Sequence, residues 1–164
     1  MEEKSKVFTA KLLEDLVEVF SKHNVEYLII GKTGAIIYGF PDTTQDIDIF
    51  PKKSKENGRK VVLALKELGF KIDGRLNQAI VQGKDFIQIR GGPFNLDLIF
   101  APDGIESFEI AKKRACSIEE KYPVASISDI IESKKIASRK KDKEVIERLV
   151  SFAKYLKEKR GEVL

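Results

Sequence analysis

The 164-residue chain has one cysteine, one histidine, one methionine and no tryptophan. A lone Cys116 excludes an internal disulfide framework and a zinc cluster of several thiolates. A lone His23 excludes any site that needs two imidazoles. No run approaches the roughly 18 uninterrupted apolar residues of a membrane span. The opening MEEKSK lacks the basic-then-apolar layout of a secretory signal. These absences predict a soluble, cytoplasmic protein with no membrane contact.

What is present suits one folded unit. The hydrophobic share is 42% and the charged share 34%, too apolar for a disordered chain and too charged for a membrane protein. The net charge of +4 is unevenly spread, at −4 over residues 1–50, +2 over 51–111 and +6 over 112–164. An acidic first third and a basic last third can meet around a cation and an anionic ligand; a Lys/Glu-rich solvated surface gives the same totals. Lysine (23) and glutamate (16) far outnumber glutamine (4), a balance common in thermophile proteins.

Thr9 can N-cap a first helix carrying Leu12, Leu13, Leu16, Val17 and Phe20 at helical spacing. Residues 27–30 read as a buried strand, 31–39 as a short apolar helix and 46–50 as a second strand. Ser54 caps a further helix that ends at Gly69, and 70–72 reads as a short strand. Residues 73–83 fit helix or loop. A glycine turn at 91–93 joins residues 86–90 and 94–100 as a hairpin. Residues 104–114 and two segments from Ser128 onward read as helices. The expectation is an α+β (α/β) fold: a small mixed sheet flanked by helices over residues 1–125, with a C-terminal helical extension over 126–164 packed on it.

The most informative stretch is Thr44-Gln45-Asp46-Ile47-Asp48. Strand side chains alternate, so Asp46 and Asp48 share a face about 6.6 Å apart while Ile47 points to the core. Two neighbouring carboxylates repel each other unless a cation joins them, and oxygen-only ligands suit a hard ion such as Mg²⁺. Asp97 interrupts the apolar run Leu96, Leu98, Phe100. If its strand lies beside that of Asp46, three carboxylates converge, as in two-metal phosphoryl or nucleotidyl transfer. The alternative is a pair of acids decorating the solvent face of an edge strand.

Gly31-Lys32-Thr33-Gly34 sits at a strand-to-helix turn, where backbone N–H groups can meet an anion. It is not a P-loop, because Glu26 stands where that motif requires glycine.

Gly31, Gly39 and Thr44-Gln45-Asp46-Ile47-Asp48 together resemble the opening motif of the DNA polymerase β-like nucleotidyltransferases. Lys134, Ala137, Arg139, Lys141 and Asp142 resemble a helical motif of the minimal and AbiEii-type toxin branch. The resemblance implies a nucleotidyltransferase fold and an enzyme that moves NMP from an NTP to a hydroxyl, on an RNA 3′ end (tRNA included) or a protein side chain. It implies Asp46, Asp48 and Asp97 as catalytic residues and ligands of two Mg²⁺ ions, with Mn²⁺ as a substitute. Gly31, Lys32, Thr33, Thr44, Lys134, Arg139 and Lys141 would bind the nucleotide. A small helical toxin or antitoxin partner belongs to the same reading. Lys32 stands where relatives have glycine or serine, Asp42 where many have arginine, and Gly34 where alanine is common. These departures keep open a catalytically inactive nucleotide- or RNA-binding module. Arg90 either reaches the acids or occupies a strand end, and Tyr38 reads as core.

Overall fold

The computed structural model describes residues 10–137 and 142–160. Thr9, Arg139 and Lys141 lie outside the described residues. Helix α1 (Ala10–Lys22) buries Leu13, Leu16, Val17 and Phe20 along one stripe. Strand β1 (Tyr27–Ile29) is buried throughout and leads into the short helix α2 (Gly31–Ile37). Strand β2 (Asp46–Pro51) buries Ile47 and Ile49 and leaves Asp46 and Asp48 half-buried. Ser54 caps helix α3 (Lys55–Glu67) by accepting from Asn57 N–H at 3.0 Å, and Gly69 follows its end at φ +104°.

Residues 70–72 form no strand. Phe70 is instead buried edge-to-face on Phe94, with ring centroids 5.0 Å apart. The ambiguous 73–83 stretch is helix α4 (Gly74–Gln82), started by Asp73, which accepts from Leu76 N–H at 2.8 Å. The expected hairpin is β3 (Phe86–Ile89) and β4 (Asn95–Ile99). Helix α5 (Phe108–Arg114) begins later than residue 104, where its cap Ser107 accepts from Ile110 N–H at 3.2 Å. A second hairpin, β5 (Cys116–Ile118) and β6 (Tyr122–Val124), extends the sheet. Helices α6 (Ile127–Ala137) and α7 (Lys143–Arg160) complete the described chain, and Ser126 caps α6 by accepting from Asp129 N–H at 3.0 Å.

The six strands run β3-β4-β2-β1-β6-β5. Strand β2 is parallel to β4 and antiparallel to β1, while β1 is parallel to β6. One face of the β2–β4 ladder joins the core with Leu16 and Phe20 of α1 and Val61 and Leu65 of α3. Helices α2, α6 and α7 pack together, with Phe152 of α7 edge-on to Phe40 at 5.5 Å. Gly34 explains itself here: a Cβ would lie 2.8 Å from Ile130 of α6 and 3.2 Å from Val124. Tyr38 is core, its hydroxyl donating to the Ala125 carbonyl at 2.8 Å. Among the described residues no helix is long and apolar enough to cross a membrane.

Candidate active site

The parallel pairing of β2 with β4 sets Asp48 opposite Asp97 and Asp46 opposite Asn95. Residues paired across a ladder share a face, so all three carboxylates point the same way. Asp46 and Asp48 border a cavity of about 660 Å³ walled by Gly31 and Lys32 of α2, Ser133 and Lys134 of α6, and Phe86 of β3, while Asp97 is buried beside Asp48.

Gly31 carries Asp48 close to the turn for two reasons. Its φ of +65° belongs to the left-handed region, and a Cβ there would collide with the Asp48 carboxylate, approaching its Cγ to 3.1 Å. The Ile30 N–H donates to the Asp48 carbonyl at 3.1 Å, which fixes the turn to the strand. Thr33 is fully buried rather than turned toward the cavity. Its hydroxyl donates to the Asp46 carbonyl at 2.9 Å and accepts from Asp48 N–H at 3.3 Å, so it braces β2 and cannot touch a nucleotide in this packing. Thr44 lines the cavity, and its hydroxyl accepts from Asp46 N–H and donates to the Asp46 carbonyl, both at 3.2 Å.

Arg90 reaches the acids. Its guanidinium stands 2.9 Å from Oδ1 of Asp97 and 3.6 Å from Oδ1 of Asp46. The contact with Asp97 supplies charge without the alignment of a hydrogen bond, so Oδ1 of this buried carboxylate remains an acceptor with no donor. Strand alternation carries the signal for Arg90: it shares parity with Gln88, which pairs with Asp97. Lys134 lies 3.3 Å from Asp142 and acts on Asp48 from the α6 side.

Burial, then the charges of Asp97 and Asp46, push the Asp48 carboxyl well above the usual carboxylate range, with Lys134 partly opposing them. As the side chains stand, no three carboxylate, imidazole or thiolate groups among the described residues surround one metal position. The donor chemistry nevertheless fits a hard divalent cation: three carboxylates on one face, a buried oxygen without a donor, and repulsion that an added positive charge would relieve. Asp46 and Asp48 would hold such an ion, and Asp97 would join as Arg90 gives way.

The two unusual charges face each other. Lys32 Nζ stands 3.5 Å from Asp42, whose other neighbour is Arg148 at 4.0 Å. A hydrogen bond from Thr43 N–H, then these two cations, hold the Asp42 carboxyl below its usual value. A lysine and an aspartate at these two positions therefore compensate one another, beside the cavity that Lys32 lines.

The chain matches no protein-family model and no curated protein. It is similar in structure to a Thermotoga maritima protein described as a putative nucleotidyltransferase, with a TM-score of 0.54 and 16% identity over 86% of this chain and 91% of the other. The likeness establishes a nucleotidyltransferase fold.

Proposed function

We propose that the protein is a divalent-metal-dependent nucleotidyltransferase that moves a nucleoside monophosphate from an NTP to a hydroxyl, releasing pyrophosphate. The register that sets Asp48 beside Asp97, with Asp46 on the same face and the Gly31 turn against Asp48, carries this reading. Mg²⁺ or Mn²⁺ bound by Asp46, Asp48 and Asp97 would neutralise the triphosphate and polarise the reacting phosphoryl group. Gly31 leaves room for the Asp48 carboxylate against the turn, and Lys32 of α2 and Lys134 of α6 supply positive charge to the cavity. The acceptor oxygen attacks the α-phosphorus, the bond to the β-phosphate oxygen breaks, and pyrophosphate leaves. Once Arg90 gives way, the Asp97 carboxylate beside Asp48 would accept the hydroxyl proton. Arg139 and Lys141 belong to this reading through the sequence alone. An AbiEii-type role with a small helical partner is its finer form.

A catalytically silent nucleotide-binding module is favoured by one observation: Arg90 and Lys32 are both engaged by acids, Asp97 and Asp42. Incubation with α-labelled NTPs, Mg²⁺ or Mn²⁺, total tRNA and cell lysate separates the two. The transferase reading expects label on RNA or protein, absent with Asp46→Asn. Metal-dependent NTP binding without label or pyrophosphate would establish the silent module instead.

A further inference from the structure

Beyond the cavity of Asp46 and Asp48, the sheet edge continues into a second depression. Phe86, on edge strand β3, is 47% exposed and borders both. The second depression, about 660 Å³, runs along α4 and is lined by Lys53, Arg75 and Lys84. Gln78 and Gln82 then connect it to a third, about 410 Å³, which Lys55 and Arg59 of α3 border. These five cations face a single lining acid, Asp85. None of them is in an ion pair among the described residues, whereas Lys22, Lys52, Arg90 and Arg114 are all paired.

The groove is a firm surface. Helices α3 and α4 meet so closely that a Cβ on Gly58 would lie 2.7 Å from Cα of Val81. Gly83 has no side chain where the Lys53 stem passes, a Cβ there meeting Cγ of Lys53 at 2.7 Å. An exposed ring at the junction and unpaired cations along the track are the two elements that hold single-stranded nucleic acid, by base stacking and by phosphate contact.

The geometry points to the α3–α4 groove as the binding track for a single-stranded RNA whose 3′ end passes Phe86 to reach the cavity of Asp46 and Asp48. This rests on the transferase reading and names its acceptor. A protein acceptor would leave five exposed cations and a bare phenyl ring without a ligand. The amide side chains of Gln78 and Gln82 are suited to phosphate and sugar oxygens between the charged residues.

The test is fluorescence anisotropy of a labelled 12-nucleotide single-stranded RNA, with no NTP or metal, in 50–300 mM salt. Tight binding with a salt slope of about −3.5 is expected for five phosphate contacts. The Lys53→Gln/Arg59→Gln/Lys84→Gln variant should bind at least about ten-fold more weakly with a slope shallower by about 2. Phe86→Ala should bind about ten-fold more weakly with the slope unchanged. All four residues are exposed, and matched thermal unfolding of the variants confirms their fold. RNA binding that the triple variant retains, or none by the wild type, would overturn the groove. The same holds if NTP-dependent label goes to protein and the triple variant transfers it undiminished. Groove-dependent RNA binding with no transfer by the wild type would support the groove and sink the transferase reading alone.

Discussion

Along the β2–β4 ladder, Ile47, Ile49, Leu96 and Leu98 point to one face and are at most 1% exposed. Asp46, Asp48 and Asp97 alternate with them and point to the other. The backbone is common to both faces, so the side chains alone divide the work. Each buried aliphatic chain contributes about 1.5–3 kcal/mol by leaving water. On the opposite face the Asp48 carboxylate loses hydration and gains like-charged neighbours, which opposes folding while it is ionised and no metal cation is bound. Stability resides on one side of these two strands and the clustered carboxylates on the other.

Substitutions that act on one face only test this division. The largest effect belongs to the acid face: Asp48→Asn should lower nucleotidyl transfer about a thousand-fold, or about 4 kcal/mol, in single-turnover labelling. The same variant should raise metal-free stability. Because the Asp48 carboxyl is raised in the folded state, the folded protein holds the extra proton. Wild-type stability therefore falls as pH climbs from the ordinary carboxylate range through that raised value, and urea titrations of Asp48→Asn should lack this part of the decline.

The apolar face should respond in the reverse sense. Leu98→Ala leaves a cavity in a fully buried position and should cost about 2–5 kcal/mol in urea unfolding. Transfer per folded molecule should stay within a few-fold. A loss of transfer as large as that of Asp48→Asn would dissolve the distinction between the faces.

Gly31→Ala falls on the border between them. The left-handed φ and the collision with Asp48 should cost about 1–2 kcal/mol and displace the carboxylate, which metal titration followed by calorimetry would register as weakened binding.

The alternation of Asp46, Ile47, Asp48 and Ile49 was readable because a strand imposes period two on its own residues. The glycine-turn hairpin was readable for a similarly local reason. The neighbourhood of β2 and β4 was not, since about fifty residues separate Asp48 from Asp97 and no local pattern specifies their parallel pairing. The β5–β6 hairpin carried no glycine or asparagine signal: Glu119 and Glu120 turn it at φ +55° and +58°. Thr33 sits in a motif suggestive of phosphate binding, yet its hydroxyl is consumed by the β2 backbone. Lys32 and Asp42 look disruptive one at a time and compensate as a pair.

That pair should give the smallest effect. Asp42→Ala removes a partly exposed ion pair and should change stability by less than about 1 kcal/mol. Its influence should instead be seen in NTP affinity, which calorimetry should find increased as Lys32 is released.

The most direct measurement is the melting temperature of the wild type and Asp48→Asn, each without metal and with Mn²⁺ plus a non-hydrolysable NTP. The account predicts that the variant melts higher without metal and that the metal-nucleotide complex raises only the wild type. A wild type that melts higher without metal, or an equal rise in both proteins, would contradict it.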